Sequence, residues 1–306
     1  MKVIVVGLGI QGNKRRHAAG ADYVASVDPA VDGADYRKLE EVPVADYDAA
    51  LICIPDEPKI AVLRYLLQNG KHALVEKPLS AKHDSDIAGL EQLARRNNAV
   101  AYTAYNHRFE PHFARMRELI ASGALGKIYS CRMFYGNGTA RLVRDSVWRD
   151  QGAGVLPDLG SHLLDTCRFW FGDMADTFRV IAANRFENKA PDHVIIGTEA
   201  HGPRLELEMT LCMWRNHFTC DILAERGSAH IESLCKWGPS TFIHRQRVLP
   251  SGRPIEEVLT LPPGDPTWDL EYAHFKSLCA GKPQTDLGND LWLQRTLQRL
   301  GGEISS

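Results

Sequence analysis

Val3-Ile4-Val5-Val6-Gly7-Leu8-Gly9-Ile10-Gln11-Gly12 is followed by Asn13–Ala19 and then by Tyr23-Val24-Ala25-Ser26-Val27-Asp28. Four β-branched apolar residues in a row read as a strand buried on both faces. The turn after it has the form G-x-G-x-x-G. Gly7 makes the tight turn, Gly9 lets backbone approach a pyrophosphate, and Gly12 lets a helix pack closely on the strand. The basic segment Asn13–Ala19 has helical character. Its start offers unpaired N–H groups and a positive dipole end to phosphates, which adds Ile10 and Gln11 to the glycines as cofactor-binding candidates. The second apolar run ends on Asp28, about 20 residues past the first glycine, where a carboxylate meets ribose hydroxyls. Glycines alone are a weak signal, and a turn that only packs helix on sheet is the competing reading. The strand before, the helix after and the acid beyond favour a dinucleotide.

Outward from this stretch, strand and helix patterns alternate across residues 1–122. Ala49–Ile54 is an apolar strand closed by Pro55. Pro58–Asn69 carries Ile60, Leu63, Leu66 and Leu67 on one stripe, with Gly70 as its stop. His72–Val75 is a strand broken by Glu76-Lys77-Pro78; Ser80 caps a helix to Asn97; Val100–Thr103 leads to Tyr105-Asn106-His107-Arg108. The succession predicts an α/β Rossmann-type domain with a doubly wound, mostly parallel sheet. Ligands on such sheets bind beyond the carboxyl ends of the strands. That lines up Gly7–Gly12, Asp28, Pro55, Glu76, Lys77 and Asn106 along one edge.

Phe109–Ser122 reads as a helix with Pro111 in its first turn, and Gly123–Gly126 is the expected junction. Beyond it, Thr177–Phe186, Asp192–Ala200, Arg204–Leu211, His217–Leu223 and Gly227–Glu232 read as strands with short links, hence as antiparallel hairpins. Helices are expected at Pro157–Phe171, Trp268–Cys279 and Leu287–Leu300. Residues 123–306 are therefore expected to form an α+β domain with a largely antiparallel open sheet. One face of that sheet has no obvious helix to cover it, which points to a subunit interface.

The 306 residues suffice for two domains, and 44% hydrophobic content is ordinary for a globular chain. A net charge of −2 supplies no basic field for nucleic acid or an anionic membrane. No apolar run approaches the roughly 20 residues of a membrane span, and the chain enters a strand at once, without a secretory leader. Seven scattered cysteines with no C-x-x-C pair point to reduced thiols in the cytoplasm and to no metal site.

A second constellation lies in Gly152-Ala153-Gly154-Val155-Leu156-Pro157-Asp158-Leu159-Gly160-Ser161-His162-Leu163-Leu164-Asp165. With Pro157 at the first helical position, Asp158 and His162 are spaced i, i+4 and project from one face, with Asp165 near it. A solvated helix face has the same look. Beside a dinucleotide domain the pattern gains a chemical sense: an alcohol that loses hydride must also lose its hydroxyl proton, and histidine suits that task near neutral pH. Lys77 can hydrogen-bond the same oxygen, and Asp158 can orient the substrate or His162.

These residues resemble the glucose–fructose oxidoreductase, inositol dehydrogenase and rhizopine-catabolism oxidoreductases, the Gfo/Idh/MocA family. The resemblance rests on Gly7-x-Gly9-x-x-Gly12, on Gly70-Lys71-His72 leading to Glu76-Lys77-Pro78, and on Asn106-x-Arg108-Phe109-x-Pro111. It continues through Trp148-Arg149 and Gly152-x-Gly154 to Asp158-x-Gly160-x-His162-x-x-Asp165. It implies a Rossmann domain followed by an open-sheet domain that often forms dimers or tetramers. It also implies that Lys77, Asp158 and His162 are the catalytic set, and that a cis peptide bond precedes Pro78. One departure is Lys59, where many members carry a histidine. The chain is also compact for the family, which leaves the substrate class open.

Asp28 favours the free 2′-hydroxyl of NAD and repels a 2′-phosphate, and no arginine follows it directly, so NADP is the less suited cofactor. Arg37 and Lys38 are the nearest basic pair. Arg108, Arg144 and Arg149, with Arg141, flank the second constellation. They are either solvated or a clamp for a carboxylate or phosphate, which would suit an anionic sugar. The expected activity is an NAD-dependent dehydrogenase acting on a sugar, polyol or nucleotide-activated sugar. The alternatives are a dinucleotide-binding regulator without turnover and a transient-redox lyase or glycosidase.

Overall fold

Alternation of side chains decides how the first sheet is covered. In the computed structural model, which describes residues 1–146, 149–173, 177–198, 202–281 and 285–305, the first half builds β1 (Val3–Val6), α1 (Ile10–Ala19), β2 (Tyr23–Val27), β3 (Ala49–Ile52), α2 (Asp56–Gln68), β4 (His72–Glu76), α3 (Asp84–Arg96) and β5 (Ala101–Ala104). Trp148, and the expected strand end at Glu199 and Ala200, lie outside the described residues. The strands are parallel, in the order β2-β1-β3-β4-β5. Ile4, Val6, Ala50 and Ile52 pack with Leu63, Leu66, Ile87 and Leu90 of α2 and α3. The alternate residues Val3, Val5, Ala49 and Leu51 pack with Ala19, Tyr272 and Phe275. Each buried Val, Leu, Ile or Phe among them contributes roughly 1.5–3 kcal/mol. Helix α3 starts at Asp84, not at Ser80, with the His83 N–H donating to Asp86 Oδ2 at 3.3 Å.

The chain continues through α4 (Pro111–Ala121), β6 (Ile128–Gly136), α5 (Ala140–Arg144), a π-helical turn at Leu156–Gly160 and α6 (Ser161–Phe171). Then follow β7 (Phe178–Asn184), β8 (His193–Thr198), β9 (Arg204–Thr210), β10 (His217–Ala224), β11 (Gly227–Glu232), β12 (Ser240–Val248) and β13 (Gly252–Leu261). These strands form an eight-stranded sheet, β13-β12-β11-β10-β6-β9-β8-β7. Neighbours are antiparallel except β6 and β9. Cys131, Met133, Phe218, Cys220 and Met209 are buried on one face, while Arg132, Asp221 and Leu223 on the other are exposed. Two helices close the chain, α7 (Thr267–Ala280) and α8 (Gly288–Ser305). No described helix is long and apolar enough to cross a membrane.

Contacts divide the chain into two units, Met1–Asn106 with Thr267–Arg295, and His107–Pro266 with the chain from Thr296 on. The boundary expected at 122/123 thus moves back to 106/107, and a carboxy-terminal segment joins the first unit. Helix α4 goes with the second unit because Phe113 packs on Trp170 and Phe218, so the turn at Gly123–Gly126 only links α4 to β6. Helix α7 goes with the first because Tyr272 and Phe275 cover the Val3 face of the parallel sheet.

Candidate active site

The turn from β1 to α1 separates the tasks of its glycines. Gly7 has φ +92°, and a Cβ there would collide with the Cys53 carbonyl; one at Gly12 would collide with the Gly7 carbonyl. At Gly9 nothing lies within 4 Å of where a Cβ would stand. Two glycines therefore serve packing, while the backbone at the third faces open space. Helix α1 begins there without a side-chain cap and with no acid in its first turn, so its first N–H groups suit an anion. Ile10 and Gln11 stand exposed at that end.

Asp28 is 8% exposed and closes the turn from the far side. Its Oδ2 accepts the Leu8 N–H at 2.8 Å, and its Oδ1 accepts those of Ala30 and Val31 at 2.9 and 3.0 Å. Burial opposes the charge, but these three donors and the Arg37 guanidinium outweigh it and hold the carboxyl below its ordinary range. Oδ2 keeps a lone pair for a hydroxyl donor. Arg37 folds back onto this loop, donating to the Val31 carbonyl at 2.8 Å and pairing with Asp32. The open backbone at Gly9, the uncapped helix start and the charged Asp28 fit an adenine dinucleotide.

Other candidates of the first unit have structural partners. Pro55 sits at the cap of α2. Asn106 Nδ2 donates to Thr267 Oγ1 at 2.9 Å. Glu76 Oε1 accepts from Arg15 Nε and Nη2 at 2.8 Å, and Arg15 also pairs with Glu271 at 2.7 Å and lies over the Trp268 ring. The Lys77–Pro78 peptide is cis.

In the second unit, Gly154 and Gly160 seat the turn that carries Asp158. A Cβ at Gly154 would collide with the Pro191 carbonyl, and one at Gly160 would stand 2.8 Å from Met209 Sδ. The helix expected over Pro157–Phe171 is present without a break, but its first turn is π-helical rather than α-helical. Its i→i+5 bonding means that the α-helical i, i+4 rule does not by itself align Asp158 with His162. The fold supplies other connections. His162 is 8% exposed, and its ring stacks on His107 with centroids 4.0 Å apart. Tyr135 lies 6.1 Å from the same ring, and burial together with the Asp158 charge pushes its phenol up. Lys236 Nζ stands 3.3 Å from His107 Nε2. Sequence reasoning missed His107 and Tyr135 as neighbours of His162, and Lys236 beside His107, and no local spacing signals them.

The arginines differ among themselves. Arg108 grips both oxygens of buried Asp165, Nε at 2.9 Å and Nη2 at 2.5 Å. Its fork holds Asp165 of α6. Arg149 Nη2 lies 3.7 Å from Asp158 Oδ2. Arg144 is exposed beside Asp145.

Residues 1–105 match the family described as oxidoreductase family, NAD-binding Rossmann fold, and residues 113–230 match the GFO/IDH/MocA C-terminal domain. An uncharacterized oxidoreductase of Schizosaccharomyces pombe is 33% identical over 142 residues, 45% of this chain and 37% of that protein. Inositol 2-dehydrogenase 3 of Saccharopolyspora erythraea is 22% identical over 259 residues, 78% of this chain and 75% of that protein. Among solved structures, levoglucosan dehydrogenase in complex with NADH has a TM-score of 0.84 at 17% identity, covering 100% of this chain and 97% of that one. An oxidoreductase from Agrobacterium radiobacter in complex with NAD+, L-tartaric acid and magnesium has a TM-score of 0.81 at 18% identity, covering 100% and 96%. Those two likenesses establish the fold. With its amino-terminal and carboxy-terminal parts each matched, the chain belongs to the Gfo/Idh/MocA family of NAD-binding oxidoreductases.

Proposed function

We propose that the protein oxidises a secondary alcohol of a sugar, polyol or nucleotide-activated sugar with NAD, or runs the reverse reduction. The observation that carries this reading is the open backbone at Gly9 beside a charged, loop-anchored Asp28. The substrate class leans on relatives named as inositol and levoglucosan dehydrogenases. NAD, when bound, takes up the hydride released from the carbinol carbon. Gly9, Ile10 and Gln11 hold the phosphates on a turn that Gly7 and Gly12 shape, Asp28 holds the adenosine ribose, and Pro55, Glu76 and Asn106 shape the rest of that edge. His162 takes the hydroxyl proton as the C–H bond breaks and the carbonyl forms, and returns it in the reverse direction. Lys77 donates a hydrogen bond to the same oxygen, and Asp158 orients the substrate. Arg149, already beside Asp158, and Arg144 meet an anionic group where the substrate has one. We place the protein in the cytoplasm, as a homodimer or homotetramer joined through the larger sheet.

The experiment is turnover of sugars, polyols and sugar nucleotides, read at the reduced-nicotinamide absorbance. Lys77→Met and His162→Ala are expected to lower kcat at least about 100-fold, with dinucleotide affinity kept within about threefold. Undiminished turnover in both variants would refute these roles. Dinucleotide binding with no turnover on any substrate would support the regulator instead. Bound NAD that is restored in every cycle would mark a transient-redox lyase. In the same assay, Arg149→Ala is expected to raise KM for anionic substrates more than for neutral ones.

A further inference from the structure

Lys59 lies in the first turn of α2, where a cation opposes the helix dipole, and it is 2% exposed. Its ammonium has three acceptors: Asp56 Oδ1 at 2.7 Å, the Glu76 carbonyl at 2.8 Å and the Pro78 carbonyl at 3.0 Å. They match the three donors of an ammonium. A charge is tolerated below the surface only when it is paired and hydrogen-bonded, and this one is. Two of its acceptors are main-chain oxygens on either side of Lys77. The Glu76 side chain is held independently by Arg15. One buried cation thus grips both flanks of the residue that carries the proposed catalytic amine.

We propose that Lys59 is a positioning residue for Lys77. It fixes the backbone from Glu76 to Pro78 and so sets the direction in which the Lys77 amine reaches the substrate oxygen. This rests on the reading of Lys77 given above. Misplacing a reacting group by about 1 Å costs on the order of 100-fold in rate.

The test is a double-mutant cycle in the full-length protein. Lys59→Met keeps an unbranched stem and removes all three donors. Lys59→Gln keeps an amide that can donate twice, and it takes the place of Lys59→Met in the cycle should that variant not fold. Lys59→Met is expected to lower kcat about 10- to 100-fold and to leave KM for NAD within about threefold. Lys59→Gln should fall between it and wild type. In a Lys77→Met background the same change at position 59 should cost less than about twofold, because the group it positions is gone. Equal losses in both backgrounds, or an unchanged kcat in the Lys59 variants, would overturn the proposal. Should Lys77→Met itself leave turnover intact, the catalytic reading of Lys77 falls. The positioning claim is then decided by the rate at which trinitrobenzenesulfonate labels the Lys77 amine, followed by peptide mass. A changed rate in Lys59→Gln upholds it, and an unchanged rate ends it.

Discussion

Asp28 combines two tasks in one carboxylate. It ties the end of β2 to the glycine turn through the Leu8 N–H, and in the function proposed above it presents its negative charge to the adenosine ribose. The second task decides the cofactor, because that charge repels a 2′-phosphate while Arg37 already lies on the same loop. Asp28→Ser removes the charge and leaves the cation. Charge-assisted hydrogen bonds contribute about 1.5–3 kcal/mol each, so KM for NAD should rise about tenfold or more. The NADP to NAD ratio of kcat/KM should shift toward NADP by a similar factor. Titrating both cofactors against wild type and variant checks this. A weaker NAD complex with no gain for NADP would show that Arg37 has no hold on the phosphate. Lys59 shows the limit of reading single residues: in the sequence it is only a departure from a family pattern. Two of its three partners lie 17 and 19 residues away, at and just past the end of another strand, so its role becomes visible only once the fold brings them together.

At the scale of elements, β2 is the edge of the parallel sheet and is flanked by three acids held below their ordinary range. At Asp22 burial opposes the shift, and hydrogen bonds from Lys276 and Tyr272 overcome it. At Asp35 the Ser26 hydroxyl and N–H lead. A folded pKa below the unfolded value of about 3.9 gives stability that is present above that value and lost as pH falls through the folded one. Glu110, which starts α4, goes the other way: burial raises it although both of its oxygens accept from Cys235. Its contribution is full below the unfolded value and is lost as pH rises through the folded one. Acid should therefore loosen β2 and the loop after it before α4. Amide exchange at pH 3 against pH 6, corrected for intrinsic rates, should show that order, and simultaneous loss of protection in both would count against it. The parallel strands were legible because β1 and β3 are buried along their whole length and β2, β4 and β5 along most of theirs. Strand β13 was not: it contains Pro254, lies at an edge and is exposed almost throughout, so burial left no mark on its composition. The π-helical turn carries no local sequence signature, so the spacing of Asp158 and His162 reads in the sequence as that of an ordinary α-helix.

For the molecule as a whole, the open question is what covers the outer face of the larger sheet. The strand register sets Val258, Ile243, His230, Asp221, Arg132 and Glu206 side by side from β13 to β9. Arg132 pairs there with Glu206 and Glu208, and His230 with Asp221, so the centre of the row is polar. Apolar side chains flank it: Leu223 is 51% and Val258 53% exposed. A broad sheet face of this kind, ending in an exposed edge strand, invites pairing, and a second copy related by a twofold axis can meet it with the same surface. Self-complementary charges would then fix the register of the two sheets while the flanking apolar residues supply the burial. Light scattering on the eluting protein is expected to give a dimer or tetramer. Leu223→Asp with Val258→Asp should shift it toward the monomer, since two carboxylates would lose their water in a closed interface. Higher salt should weaken the wild-type assembly as it screens the charged row. A wild-type protein that elutes as a monomer, or a double variant with unchanged mass, would sink the assignment of this face and leave the chemistry proposed for Lys77 and His162 untouched.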